Sequence, residues 1–133
     1  MIVAVADTHA ILWYLNKDDR LSETARSFMD KIAETEDQIA VASITLVELF
    51  YLVEKKRITP EQRNFVVEIL RQSLGLFSLY ALDYDSAIAV GNIPREQVPD
   101  MPDRIIAAAA WELGVPIITR DRKIQAAELT VIW

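Results

Sequence analysis

Residues 1–15 read MIVAVADTHAILWYL, and the first seven of them decide the fold. An uninterrupted apolar run from Ile2 to Ala6 stops at Asp7. Because the run does not alternate with polar residues, it predicts a strand buried on both faces of a parallel sheet. Asp7 is then placed to cap a helix that begins at Thr8, since aspartate is among the preferred N-cap residues.

Short apolar runs of the same kind recur along the chain, at residues 38–42, 76–82, 115–119 and 130–133. Helical patterns separate them, at residues 22–35, 46–53, 59–74, 84–90 and 103–113, with prolines near two starts (Pro60, Pro102) and glycines after two ends (Gly75, Gly114). Strands that alternate with helices predict an α/β fold with a mainly parallel central sheet and helices on both faces. No repeat or flexible linker divides the chain, so we expect one domain over residues 1–133.

Composition excludes several classes of site. The chain has 133 residues, of which 52% are hydrophobic and 26% charged, the balance of a soluble globular domain. It has no cysteine, which excludes disulfides, a thiolate nucleophile and a cysteine-ligated zinc site. His9 is the single histidine, and the three glycines are too scattered for a nucleotide-binding loop.

The net charge of −6 argues against a protein that holds nucleic acid by overall positive charge. It leaves room for an acidic site that binds divalent metal and acts on a phosphate backbone. The apolar N-terminus has no basic flank and is interrupted by Asp7, so we predict neither a signal peptide nor a membrane anchor. We therefore expect a cytoplasmic protein.

Four acids fall where the carboxyl edge of the predicted sheet should be: Asp7, Glu48, Asp103 and Asp121. Each has a local explanation. Asp7 and Asp121 can cap the segments after them, Glu48 has capping-box spacing from Thr45, and Asp103, at the second helical position, suits a helix N-terminus.

Their joint placement points to chemistry, because parallel strands deliver their carboxyl ends to one edge, where ligands bind. Mg²⁺ and Mn²⁺ take oxygen ligands from a few carboxylates together with substrate phosphates. Such a site lowers the pKa of a bound water and neutralises a leaving oxygen, which is the chemistry of a hydrolytic nuclease.

Around these acids the sequence resembles a known family. Residues 7–15 (DTHAILWYL), 43–49 (SITLVEL), 100–109 (DMPDRIIAAA) and 118–124 (ITRDRKI) look like the four consecutive motif blocks of PIN-domain ribonucleases, in particular VapC-type toxins of toxin–antitoxin pairs. The resemblance implies a three-layer α/β/α fold and Mg²⁺- or Mn²⁺-dependent cleavage of RNA. It also implies a cognate VapB-like antitoxin that occupies the active-site groove, and a homodimer.

The resemblance further assigns roles. Asp7, Glu48, Asp103 and Asp121 match the acidic quartet of the family, and Thr119 matches the hydroxyl that supports the last acid. Metal coordination is expected chiefly from Asp7, Asp103 and Asp121. Glu48 is expected either to coordinate through water or to orient the attacking water.

Neighbouring residues carry weaker expectations. Asp100 either touches metal or ends the loop before the Pro102 helix, and we favour the loop. We expect Trp13 and Tyr14 in the core rather than stacked on RNA, and His9 in a structural or partner-facing role. Three arginines meet either phosphates or exposed ion pairs: Arg104, Arg120 and Arg122. The basic cluster 55–57 is expected to complement a helix end.

An antitoxin groove is expected from exposed apolar residues in two segments, 46–53 and 13–15. Three other interpretations remain. A phosphoacceptor domain would need paired acids near the N-terminus and a late lysine, whereas Asp7 stands without an acidic neighbour and Arg120 follows the late strand. A catalytically inactive module of the same fold, or an RNA-processing PIN nuclease without an antitoxin, would share the acids.

Overall fold

The computed structural model describes residues 1–72 and 75–133. The elements are β1 (Ile2–Ala6), α1 (Thr8–Leu15), α2 (Glu23–Ala33), β2 (Gln38–Ala42), α3 (Ile44–Glu54), α4 (Pro60–Arg71), β3 (Phe77–Tyr80), α5 (Tyr84–Ala89), α6 (Met101–Leu113), β4 (Ile117–Ile118) and β5 (Val131–Ile132). Short 3-10 helices span Val90–Asn92 and Arg122–Ala127. Within the described ranges, no helix has the length and hydropathy needed to cross a membrane.

The five strands form one parallel sheet in the order β3-β2-β1-β4-β5. The chain builds outward from β1 through β2 to β3 and then returns to place β4 on the other side of β1. The carboxyl ends of β1 and β4 are adjacent, since the Asp7 N–H donates to the Ile118 carbonyl at 3.0 Å. In open parallel sheets this reversal point opens the crevice that binds ligands.

Both faces of the sheet are covered, as the apolar runs predicted. In β1, Ala4 and Ala6 join a core with α1 to α4, while Val5 joins a second core with α5 and α6. Residues 107–110 of α6 are four buried alanines, whose small side chains let this helix lie close to the sheet. The result is a three-layer α/β/α fold.

The helix ends follow the predicted signals. Thr59 and Gln62 form a capping box at the start of α4, and Gly114 ends α6 with a positive φ of 65°. The predicted end of α4 at Leu74 lies outside the described residues.

The late strands are shorter than predicted. Residues 115–119 give only the two residues of β4, because Val115 donates to the carbonyl of Ala110 at the end of α6 and Pro116 has no N–H. Residues 130–133 likewise give only β5, which pairs with β4 over that short length. Strand β3 stops at Tyr80, because Asp83 caps the start of α5 soon afterwards.

Candidate active site

A cleft of about 540 Å³ opens at the carboxyl edge of the sheet, beside β1 and β4. It brings together the four predicted acids and Thr119, and it adds a fifth carboxylate, Asp100. The lining residues are Asp7, Thr8, His9, Trp13, Arg20, Glu48, Asp100, Asp103, Thr119, Arg120 and Asp121.

Two of the acids follow strands and cap the helical segments after them, as predicted. Asp7 accepts a hydrogen bond from the Ala10 N–H at 2.8 Å, at the start of α1. Asp121 accepts from the Lys123 N–H at 2.9 Å. The buried Thr119 hydroxyl accepts from the Asp121 N–H at 3.1 Å, so it fixes the backbone that carries this acid.

The capping-box explanation of Glu48 is wrong. Helix α3 begins with Ser43 as its N-cap, so Thr45 lies inside the helix, where it cannot cap. Instead, the Thr8 hydroxyl donates to Glu48 Oε1 at 2.5 Å, across from α1 to α3. Since a hydroxyl has one hydrogen to donate, the Thr45 hydroxyl must donate to Thr8 Oγ1, at 2.9 Å.

Thr8 and Thr45 are the positioning residues that the sequence reasoning missed. Both are buried, with 3% and 0% of their surface exposed. Their hydroxyls form a chain that holds the Glu48 carboxylate from behind. The available signal was their closeness in sequence to two site acids.

The start of α6 supplies the other two carboxylates. Asp100 is the N-cap and accepts from the Asp103 N–H at 3.2 Å, so it ends the loop before α6. Asp103 is the third helical residue rather than the second, because Met101 joins the helix ahead of Pro102, and proline fits a first helical turn.

Burial and neighbouring negative charge raise the pKa values of three of the acids, Asp7, Glu48 and Asp103. Burial, followed by the charges of Asp100, Glu48, Asp7 and Asp121, raises the pKa of Asp103 to about 7. Burial is also the main cause that raises the pKa values of Asp7 and Glu48. The Thr119 hydroxyl and the Ala10 N–H lower the pKa of Asp7, but by less than burial raises it. An excess of negative charge at a partly desolvated site favours a bound cation.

The donor set fits a hard divalent cation, since every acid offers oxygen and cysteine is absent. Among residues 1–72 and 75–133, no three acidic or histidine side chains are already arranged as a complete metal-binding group. Mg²⁺ keeps several water ligands and binds through one or two carboxylates plus substrate oxygens, so such a site does not require a complete set of protein ligands.

The arginines beside the acids take different positions. Arg104 donates to the Ile93 carbonyl at 2.8 Å, which is neither of the two predicted roles. Arg120 and Arg20 lie over the indole of Trp13, with guanidinium carbons 5.5 and 5.0 Å from the ring centroid. Arg20 is a third residue that the sequence reasoning missed, because its loop carries no periodic pattern.

Trp13 and Tyr14 are confirmed as residues packed in or against the core. Trp13 is 8% exposed, and the exposed His9 is tilted against its ring at 5.3 Å. Tyr14 packs edge-on against Phe77 and donates to Asp30 at 2.8 Å. The expectation that residues 13–15 form an exposed groove wall is therefore wrong, because Trp13 is buried and Tyr14 and Leu15 are half-buried against the core.

Comparison with known proteins identifies the family. The sequence model of the PIN domain matches residues 4–129. Ribonuclease VapC22 from Mycobacterium tuberculosis (strain ATCC 25618 / H37Rv) is 29% identical over 126 residues, which cover 95% of this chain and 92% of that protein.

Solved structures agree on the fold. VapBC2 from Rickettsia felis, bound to a DNA fragment from its promoter, has a TM-score of 0.71 at 20% identity, with 98% of this chain and 97% of that chain covered. A toxin–antitoxin complex from Klebsiella pneumoniae has a TM-score of 0.65 at 24% identity, with 98% and 96% covered. The parallel sheet, the acid-lined cleft at its reversal point and a family match over nearly the whole length lead to one conclusion: this chain belongs to the PIN domain family.

Proposed function

We propose that the protein is a Mg²⁺- or Mn²⁺-dependent endoribonuclease of the cytoplasm and the toxin of a toxin–antitoxin pair. The observation that carries the proposal is the convergence of five carboxylates in one cleft at the carboxyl edge of the sheet. The similarity to a protein named as a ribonuclease supports RNA as the substrate.

Asp7, Asp103 and Asp121 are the residues that would hold the metal ion, since all three line the cleft with carboxylate oxygens. The bound metal would lower the pKa of a water and neutralise charge on the leaving oxygen. Glu48 is held by the Thr8 hydroxyl, and its raised pKa suits a carboxylate that orients the attacking water and takes a proton from it. Thr119 holds the backbone of Asp121 in place.

The test is cleavage of a mixed panel of structured and single-stranded RNAs by purified protein with Mg²⁺, Mn²⁺ or EDTA. We expect metal-dependent cleavage that is lost in Asp7→Asn and Asp103→Asn. Asp85→Asn is the matched control, because Asp85 is an exposed residue of α5 outside the cleft. Absence of both metal binding and cleavage would favour the inactive module instead.

The antitoxin is proposed to cover the exposed apolar face of α3. Val47, Phe50 and Tyr51 are 49%, 50% and 58% exposed on this helix. A toxin–antitoxin complex among the structural neighbours supports a protein partner. Leu49 is fully buried, so it is part of the core and not of this face.

Introducing a negative charge tests this surface. Phe50→Glu and Tyr51→Glu are expected to weaken binding of the co-expressed partner, whereas Tyr84→Glu on α5 leaves it unchanged. Full-strength binding by both α3 variants would place the antitoxin elsewhere. Homodimer formation stays a prediction, which light scattering after size exclusion would test.

A further inference from the structure

The acid-lined cleft continues into a second hollow. This hollow, of about 150 Å³, lies between α1 and the turn that joins α3 to α4. His9, Trp13 and Arg20 line both spaces, so they form a shared rim. Beyond the rim the hollow offers Arg57 together with the amides of Asn16 and Gln62.

Within the described residues, the arginines along this path make no ion pair with the acids of the cleft. Arg20 makes a bidentate ion pair with Asp18, with nitrogen–oxygen distances of 3.0 and 2.7 Å. Asp18 lines the second hollow rather than the cleft. Arg120 rests over Trp13 although Asp121 is its sequence neighbour. In the part of the chain that the structure describes, neither Arg120 nor Arg57 has an ion-pair partner within 4.0 Å. Both are exposed, so their charge is available to an anion.

We propose that this path binds the phosphate backbone of a single-stranded RNA on one side of the bond that is cut. Arg120 would bind the flanking phosphate at the rim, and Arg57 would bind the next one in the second hollow. The proposal rests on the proposed nuclease function. The phosphate that reacts would lie among the acids of the cleft, and the neighbouring phosphates of the same strand would bind guanidinium groups.

The same geometry indicates that the path reads the backbone rather than the bases. Base stacking needs an open aromatic face, but the Trp13 ring is surrounded by His9, Arg20, Arg120 and Trp133. Only 8% of this residue is exposed. Affinity along the path should therefore depend on salt and length more than on sequence.

An acidic segment of a protein partner would carry negative charge, as RNA does, and could bind the same arginines. RNA is favoured because the path starts at the acids where the proposed cleavage occurs, and because a phosphate chain must leave that cleft along the surface. Binding of a protein segment in its place is an outcome of the test.

The test measures binding of a fluorescein-labelled, random-sequence 12-nucleotide RNA to Asp103→Asn protein in Mg²⁺. In this background, Arg57→Gln and Arg120→Gln are expected to raise the Kd by about 3- to 10-fold for one lost phosphate contact. Each should also reduce the slope of log Kd against log salt by about 0.7. Arg95→Gln removes the same charge from an exposed turn outside both spaces, and it should change neither quantity.

Cleavage gives an independent readout. In otherwise wild-type protein, Arg57→Gln should raise KM for a long substrate with little change in kcat, and it should not affect a trinucleotide too short to reach the second hollow. If Arg57→Gln and Arg95→Gln bind RNA equally, or if Arg57→Gln weakens only the antitoxin complex, the path is refuted. Failure of the wild-type protein to cleave any RNA would instead refute the proposed function, and the binding assay would still decide the path.

Discussion

The hydroxyl chain behind Glu48 makes a sharp prediction about stability. Thr8→Val removes the hydroxyl that donates to Glu48 and keeps the shape of the side chain. Glu48→Ala removes the acceptor. A double-mutant cycle with these two variants measures the free energy of their interaction apart from the repulsion that Glu48 feels from Asp7 and Asp100.

The expected coupling follows from burial and charge. A hydrogen bond to a charged group contributes about 1.5–3 kcal/mol, and an ordinary one about 0.5–1.5 kcal/mol. Thr8 is 3% exposed, but Glu48 is only half-buried, so water competes for the carboxylate. We therefore expect a coupling of about 1.5 kcal/mol, at the lower end of the charged range. Thr45→Val loses a bond between two hydroxyls, and it should destabilise the protein by about 1 kcal/mol.

Urea unfolding in EDTA at pH 8 is the assay, because burial raises the pKa of Glu48 and the carboxylate must be ionised. Thr8→Ser keeps the hydroxyl and should retain the coupling to Glu48. A coupling below about 0.5 kcal/mol, the usual error for independent sites, would refute the hydroxyl chain as the support of Glu48.

Divalent metal is expected to stabilise the protein by about 2.7 kcal/mol at a concentration 100 times the Kd. This gain should shrink in Asp103→Asn but not in Asp85→Asn. If metal raises the melting temperature of wild type and Asp103→Asn equally, Asp103 is not part of the site. In EDTA, the raised pKa of Asp103 means that the folded state binds its proton more tightly than the unfolded state does. The stability that this proton contributes is lost as pH rises from about 4 to about 7. The loss is up to about 4 kcal/mol before screening by solvent, and roughly 2 kcal/mol for a half-exposed group. The difference between the free energies of unfolding of wild type and Asp103→Asn, measured in urea across this pH range, isolates this contribution. Gly114→Ala should lower the free energy of unfolding by roughly 1–2 kcal/mol, because the φ of 65° at Gly114 is left-handed. Gly91→Ala should lower it little, because there is open space around Gly91. Equal unfolding midpoints for the two variants would contradict this explanation.

Local signals predicted the parts of the fold that depend on local physics. The apolar run of β1, the capping box at Thr59 and the glycine after α6 are each decided within a few residues. The length of β4 was not predictable in this way. It depends on how the end of α6 binds Val115 and on the missing N–H of Pro116 in the ladder.

The site residues also divide into features that the sequence predicts and features that depend on packing between distant segments. Parallel connection was enough to predict that Asp7, Glu48, Asp103 and Asp121 share an edge. The support of Glu48 joins residues 40 positions apart, so it depends on how α1 packs against α3. Trp13 was expected both in the core and in an exposed groove, because helix α1 is apolar around most of its surface and its sequence alone does not separate the buried side from the accessible one.

The capping and the catalytic interpretations of these acids do not compete. In a parallel sheet, helices begin at the carboxyl edge, so a residue that caps a helix there also stands where ligands bind. The cap uses one oxygen of Asp7, of Asp100 and of Asp121, so the other oxygen of each carboxylate takes no part in the cap. Asparagine also caps helices well, but it carries no charge. Asp→Asn variants therefore keep the helix cap and remove the charge, whereas alanine would remove both the cap and the charge. Only the asparagine variants can separate the capping role from the catalytic role.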